Sequence, residues 1–169
     1  MSANASTGIP MDYHTRLVFR LREQAEDIRR IVAGLDESLQ TAHPQSGRWS
    51  LKELVCHLWR VQEVFESRIE AMLTDTNPSL EPYGPDNDRE FEEKMKSPGC
   101  EVVEGLLADR EELVALMESL SPADWRQRGI HPEYSRYDVQ FAIEYLAHHE
   151  AHHIYQMFQR RALVARPHP

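Results

Sequence analysis

Four histidines lie within one short segment, Leu146–Gln156, of the 169-residue sequence. On an α-helix, each residue advances by about 100°, so His149 and His153 lie one turn apart on one face, together with Leu146 and Met157. His148 and His152 point elsewhere. Two imidazoles one turn apart on an apolar stripe suit a divalent metal. The alternative is a pair of core histidines whose ring nitrogens have hydrogen-bond partners.

A third histidine on an apolar face favours the metal site. His57 lies at the edge of a helical stripe, one turn from both Leu54 and Val61. Two histidines from one helix and one from another leave a coordination position open, and the metal there lowers the pKa of a bound water or thiol. Zinc is the expected ion, with nickel or iron as alternatives, because imidazole discriminates weakly among them.

Residues 149–153 also match the H-E-x-x-H pattern of zinc peptidases, in which Glu150 would be the general base. The extended pattern fails, because Gln156 and Gln159 occupy its glycine and last histidine positions. The peptidase interpretation is therefore disfavoured, and Glu150 is expected to support the helix or to hydrogen-bond near the site.

Two other groups invite a chemical role. Cys56 adjoins His57, but adjacent helical residues point about 100° apart, so we expect a packed cysteine. His131 precedes a proline in a connecting loop with Tyr134, where it could either approach a substrate or simply form part of a turn.

Composition limits the function classes. The net charge of −9 argues against nucleic acid or an anionic membrane surface as a partner. Two cysteines without paired spacing fit a reducing compartment, and the sequence has neither a signal-peptide pattern nor an apolar run of membrane-spanning length. We therefore expect a cytoplasmic protein.

The elements that must position the histidines are four amphipathic helices. The periodicity predicts them over about 10–39, 50–73, 98–120 and 135–163, with flexible tails at 1–9 and 165–169 flanking one domain, 10–164. A short charged helix is expected within 86–96, a loop over 129–136, and no strand of useful length. The long connection between helices two and three allows these two helices to run parallel. The predicted fold is an all-α four-helix bundle with a long crossover between helices two and three.

Two motifs resemble the DinB-like (DinB/YfiT) superfamily of metal-binding proteins. They are residues 47–58, read as GRWSLKELVCHL, and residues 149–153, read as HEAHH. The resemblance covers about residues 15–163. It implies a down-up-up-down four-helix bundle and one metal held by His57, His149 and His153.

The resemblance also bears on function. It implies either a metal-dependent hydrolase or an S-transferase of low-molecular-weight thiols, acting on a small molecule at the three-histidine site. The alternative is a non-catalytic, stress-associated bundle that binds a structural ion or a small ligand. A homodimer is expected from the resemblance and from Phe141 and Tyr145, which do not obviously fit one core.

Overall fold

The structure, a computed structural model, describes residues 12–85 and 88–165. These residues form four long α-helices, two short ones and a β-hairpin. The elements are α1 (Tyr13–Val32), α2 (Glu37–Thr41), α3 (Leu51–Thr74), α4 (Arg89–Lys96), α5 (Gly99–Ser119), β1 (Arg128–His131), β2 (Tyr134–Asp138) and α6 (Val139–Val164). The long helices α1, α3, α5 and α6 form the predicted bundle, so the all-α prediction is confirmed. The predicted tails lie outside the described residues, apart from Ala165.

Side-chain caps fix where the two histidine-bearing helices begin. Ser50 Oγ accepts a hydrogen bond from the Glu53 N–H at 3.2 Å, and the Glu53 carboxylate accepts one from the Ser50 N–H at 2.6 Å. These two bonds form a capping box, for which Ser50 and Glu53 have the required three-residue spacing in the sequence. Asp138 starts α6 by accepting a hydrogen bond from the Phe141 N–H at 2.9 Å.

The order of the helices around the bundle differs from their order along the chain. Both α1 and α3 pack against α5 and α6, so α1 lies diagonally opposite α3. Consecutive long helices are therefore not always neighbours, which the long connections of the chain make feasible.

Pairs of residues near the helix ends give the directions. Glu37 accepts hydrogen bonds from Lys52 Nζ at 2.7 Å and from the Gly99 N–H at 2.6 Å, so α3 and α5 begin at the same end of the bundle. Arg22 of α1 forms an ion pair with Glu118 near the end of α5 at 2.8 Å, so these helices are antiparallel.

The two ends of α6 complete the topology. His14 Nε2 lies 3.1 Å from Gln140 Oε1, and Arg161 donates to the carbonyl of Ala33 at 2.9 Å, so α1 and α6 run parallel. The bundle is therefore down-up-up-down. The parallel course expected for the second and third long helices, α3 and α5, is confirmed.

A buried polar layer divides the apolar core into two clusters. Arg110 of α5 donates from Nη1 to Glu150 Oε1 at 2.9 Å and from Nε to Gln62 Oε1 at 2.7 Å. Arg110 Nη1 also donates to the carbonyl of Leu21 at 3.0 Å. Leu and Val side chains pack above and below this layer. Because a buried charge needs a partner, the layer fixes how the four helices face one another.

The stretch before α6 corrects one prediction. Residues 129–136 were expected to be a loop, with the last helix beginning near Ser135, but β1 and β2 pair here as an antiparallel hairpin with Gly129 opposite Tyr137. Helix α6 begins only at Val139. Strands of four and five residues are too short to produce a clear alternation in sequence.

The first predicted helix is also shorter than expected. It ends at Val32, and Gly34 adopts a positive φ of 75°, a conformation that favours glycine and stops the helix. A separate helix, α2, follows with Asp36 as its cap.

The crossover between α3 and α5 contains the short charged helix that was expected within 86–96. It is α4, which starts at Arg89; Asp86 and Asn87 lie outside the described residues. Within residues 12–85 and 88–165, no helix is both long and apolar enough to cross a lipid bilayer.

Candidate metal centre

Three histidines meet where α3 crosses the antiparallel helix α6. The Nε2 atom of His149 lies 3.3 Å from Nε2 of His57 and 3.2 Å from Nε2 of His153. One ring nitrogen from each of the three residues lies within 4.8 Å of the other two. His57 is buried, and the other two are half-buried. The structure therefore brings together the three predicted ligand residues.

The spacing of the three nitrogens fits a metal ion better than it fits hydrogen bonds. An imidazole nitrogen offers either one proton or one lone pair, so His149 Nε2 cannot form a good hydrogen bond to both neighbours. A tetrahedral zinc ion with Zn–N bonds of about 2.0–2.1 Å places its ligand nitrogens about 3.3 Å apart. The two measured separations agree with that value, so the donor set suits a divalent ion.

The protonation state of the cluster also suits metal binding. Burial and, to a lesser extent, the neighbouring imidazoles together lower the pKa of His57 to about 3 and that of His149 to about 4. Burial likewise lowers the pKa of His153, although its bond to Gln156 opposes this shift. Neutral imidazole is the form that ligates metals, so these rings are ready to bind at neutral pH.

Different contacts orient the three rings. His153 Nδ1 lies 3.0 Å from Gln156 Oε1, which fixes a proton on Nδ1 and leaves the Nε2 lone pair free. His57 packs against Trp49 with ring centroids 4.9 Å apart, and His149 stacks on Tyr145 at 6.4 Å. Among the described residues, Nδ1 of His57 and of His149 has no hydrogen-bond partner, so aromatic packing positions these two rings.

The two remaining histidines of the segment face away, as expected. His148 is exposed and lies near the Arg20 guanidinium at 3.4 Å. His152 is exposed and lies 2.9 Å from Gln156 Nε2. Neither ring belongs to the cluster.

A cleft of about 320 Å³ opens onto the cluster. Its walls are largely aromatic and come from α3, α6, the hairpin and the crossover. The lining residues are Trp49, His57, Val61, Phe65, Arg68, Tyr83, Pro85, His131, Glu133, Tyr134, Tyr137, Tyr145, His149 and His153. Trp49, which packs against His57, therefore also lines the cleft.

The hairpin places His131 in this cleft, which the sequence left undecided. Its Nδ1 accepts a hydrogen bond from the Glu133 N–H at 3.2 Å, and its ring stacks on Tyr137 with centroids 5.0 Å apart. Burial, followed by the nearby Arg68 charge, lowers the pKa of His131. The ring is therefore held neutral with its proton on Nε2.

Arg68 and Tyr137 were missed by the sequence analysis. Arg68 follows His57 by 11 residues, which is close to three full helical turns, so the two residues share one face of α3. That spacing was a usable signal. Tyr137 carried no such signal, because the hairpin that positions it was not predicted.

The H-E-x-x-H match does not describe a peptidase site. Glu150 is fully buried and forms an ion pair with Arg110 in the polar layer of the core. Its carboxylate is thus engaged on the side of α6 opposite the exposed histidines. The interpretation of Glu150 as a supporting residue is confirmed.

Cys56 is a packed residue, as expected. It is fully buried, and desolvation raises the pKa of its thiol to about 12. It does not line the cleft.

Comparison with known proteins bears on this geometry. A family model described as the DinB superfamily matches residues 20–157, a range that includes all three histidines. Over 148 residues, the chain is 25% identical to YuaE, an uncharacterised protein of Bacillus subtilis (strain 168); the match covers 80% of this chain and 91% of YuaE. It is also 25% identical over 133 residues to a Bacillus mycoides (strain KBAB4) protein named as a putative metal-dependent hydrolase, with 79% and 76% of the two chains covered.

Two solved structures share the fold. YfiT from Bacillus subtilis, described as a probable metal-dependent hydrolase with an unusual four-helix bundle topology, superposes with a TM-score of 0.81 at 17% identity, over 98% of this chain and 95% of YfiT. A mycothiol-dependent maleylpyruvate isomerase superposes with a TM-score of 0.69 at 10% identity, over 85% of this chain and 60% of the isomerase. Because the family model spans most of the sequence and the bundle has the matching topology, this chain belongs to the DinB superfamily.

Proposed function

We propose that this protein is a metal-dependent enzyme in which His57, His149 and His153 hold one divalent ion, with zinc as the first candidate. The observation that carries the proposal is the convergence of three Nε2 atoms at the end of an aromatic cleft. When bound, the ion supplies a Lewis acid that lowers the pKa of a coordinated water or thiol. The names of the B. mycoides relative and of YfiT support metal-dependent chemistry.

The cleft favours a reactive ion over a structural one. Structural zinc sites are closed by four protein ligands, whereas catalytic sites keep one position open. In the part of the chain that the structure describes, the histidine, cysteine and carboxylate side chains brought together here are His57, His149 and His153. A coordination position left open on a bound ion would be accessible to a small molecule from the cleft that these three histidines line.

Thiol transfer is favoured over hydrolysis by the engagement of the neighbouring carboxylates. Hydrolysis uses a general base to take a proton from the attacking water. Glu150 is paired with Arg110, and Asp88 is paired with Arg60 at 2.9 Å, so neither carboxylate is free for that role. Glu133, the carboxylate that lines the cleft, is exposed and lies in the hairpin beside His131, outside the histidine cluster. Coordination to a bound ion would lower the pKa of a thiol enough that no separate base would be needed, and a mycothiol-dependent enzyme shares this fold.

The chain's own residues then position the second reactant. The aromatic walls exclude water and offer stacking surfaces to an apolar substrate. The neutral His131 ring presents an Nε2–H group, which can donate a hydrogen bond to a substrate or leaving group in the cleft.

Calorimetry with a small thiol tests this proposal. When 2-mercaptoethanol is titrated into zinc-loaded protein at pH 7, we expect metal-dependent binding and the release of about one proton, measured from the heat in buffers of different ionisation enthalpy. Ethylene glycol, which has hydroxyls but no thiol, should release none under the same conditions. Thiol binding without zinc, or without proton release, would favour a structural ion.

A further inference from the structure

Arg68 is a buried cation at the wall of the cleft. Only 9% of its surface is exposed. Its Nη1 donates to the hydroxyl of Tyr137 at 3.3 Å and its Nη2 donates to the carbonyl of Glu81 at 2.5 Å. Among residues 12–85 and 88–165, no carboxylate lies within 4.0 Å of its guanidinium, although eleven other ion pairs form there. Both hydrogen-bond partners that the structure gives to this charge are therefore neutral.

The hydrogen-bonding capacity of this guanidinium is not exhausted. An arginine carries five N–H donors in a planar fork that matches a carboxylate or phosphate. The structure gives partners to two of its nitrogens. Arg110, the arginine of the polar layer, differs because Glu150 neutralises it. Since a buried charge without a counter-ion is unfavourable, an anionic ligand would stabilise Arg68.

Two further donors lie beside Arg68. The Tyr137 hydroxyl oxygen accepts the Arg68 bond, so its own proton is available to a ligand. His131 stacks on Tyr137, and its Nδ1 accepts the Glu133 N–H, which leaves the Nε2 proton as a donor. Arg68, Tyr137 and His131 all line the same cleft.

This group of donors lies far from the metal cluster along one helix face. The 11 residues from His57 to Arg68 correspond to about 16 Å along the axis of α3. Val61 and Phe65 lie between them and line the cleft, and the Arg68 guanidinium lies 5.1 Å from the centre of the Phe65 ring. A ligand that spans the cleft therefore meets an apolar wall between the two polar ends.

We propose that Arg68, Tyr137 and His131 form a binding subsite for the oxyanion of a small organic acid, a carboxylate or a phosphate, whose apolar part lies against Val61 and Phe65. The site would then accept anionic aromatic or aliphatic substrates, despite the protein's net charge of −9. This inference deepens the proposed function, in that it names the substrate class. The subsite itself uses none of the three metal-binding histidines.

Three probes of similar shape test the subsite by calorimetric titration of the metal-free protein. Phenylacetate carries a carboxylate, phenylacetamide is its neutral analogue, and phenyl phosphate carries the other oxyanion. We expect phenylacetate or phenyl phosphate to bind at least about tenfold more tightly than phenylacetamide, since charge-assisted hydrogen bonds distinguish them. The better of the two anions identifies the preferred headgroup. Equal affinity for the amide and both anions would overturn the proposal.

Single substitutions test which residues produce the preference for an anion over the neutral amide. Arg68→Gln should weaken binding of the preferred anion by about tenfold to a hundredfold and should leave the affinity for phenylacetamide unchanged. Tyr137→Phe, which removes only the hydroxyl, should weaken binding of the anion by a smaller factor. Arg22→Gln, on the opposite side of the bundle, is the control and should change nothing. Should Arg68→Gln fail to fold, Tyr137→Phe and the three wild-type titrations still decide the question.

Repeating the titration with His149→Ala separates this proposal from the proposed function. We expect anion affinity in that variant to match that of the metal-free wild-type protein, because the subsite uses none of the three metal-binding histidines. Loss of anion binding in His149→Ala, with Arg68→Gln unaffected, would place the anion at the histidine cluster and overturn the subsite. A protein that binds the anion through Arg68 but takes up no metal would retain the subsite and refute the metal proposal.

Discussion

The five histidines near the crossing of α3 and α6 have two kinds of surroundings. Three have buried or half-buried rings with Nε2 atoms directed at one another, while His148 and His152 are exposed. Both kinds occur on α6 within the six consecutive positions 148–153, which makes them natural controls for each other.

Metal content should therefore separate the two kinds. Replacing His57, His149 or His153 by alanine removes one of three ligands, so we expect stoichiometric zinc in the wild-type protein and little in each variant after dialysis. His148→Ala and His152→Ala should retain zinc at the wild-type level. Elemental analysis after purification measures this, and equal metal loss from the exposed pair would contradict the ligand assignment.

The Glu150–Arg110 pair gives a second residue-level prediction. Glu150→Ala leaves Arg110 charged and buried without its partner, which should lower the free energy of unfolding by about 3–5 kcal/mol. Zinc bound per folded molecule should not change, because Glu150 contacts the polar layer and not the cluster. Urea unfolding and metal analysis provide the two measurements.

A double variant is the matched control for this pair. Replacing both residues with apolar side chains, as in Arg110→Met with Glu150→Leu, removes the stranded charge and should cost much less than Glu150→Ala alone. A Glu150→Ala protein of normal stability that had lost its metal would instead support a direct role for Glu150 at the metal.

At the level of elements, the hairpin and the start of α6 are joined through Asp138, which belongs to β2 and caps the helix. Asp138 ends β2 and caps α6, and its second carboxylate oxygen accepts from Arg136 Nε at 2.9 Å. The same short segment places His131 and Tyr137 at the cleft. The geometry of the cleft therefore depends on where α6 begins.

Removing the Asp138 cap should lower the stability of the protein by a measurable amount. Asp138→Ala leaves the Phe141 N–H without its acceptor, and we expect a loss of about 1–2 kcal/mol in the free energy of unfolding. Asp138→Asn keeps a side-chain acceptor and should lose only a fraction of that amount. Urea denaturation of the two variants makes the comparison; equal losses would mean that the negative charge, and not the cap, matters.

Sequence patterns predicted these elements unevenly. The positions of α3, α5 and most of α6 followed from apolar periodicity and from the Ser50 capping box, because long amphipathic helices repeat their signal over many turns. The hairpin was missed because its strands are short. The inward direction of the histidines was predictable from helical geometry, but the role of Arg68 depends on Glu81 and Tyr137, which only the tertiary fold brings to it.

At the level of the whole molecule, the down-up-up-down arrangement places α1 and α6 side by side and parallel. Their shared outer face carries exposed apolar side chains. Tyr155 and Phe158 of α6 are each 61% exposed, and Ile31 of α1 lies in the same surface depression. By contrast, Phe141 packs against the core, and Tyr145, although 38% exposed, stacks on Phe65 at 5.4 Å.

The expected homodimer should therefore form through the α1–α6 face, because burying two large aromatic side chains from each copy removes apolar surface from water. We expect sedimentation velocity to show a dimer at micromolar concentration and the double variant Tyr155→Ser with Phe158→Ser to sediment as a monomer. Ile130→Ser, which changes an equally exposed apolar residue on the hairpin, is the control and should remain dimeric. A wild-type monomer at these concentrations would refute the dimer, and a dimeric double variant would place the interface on another face.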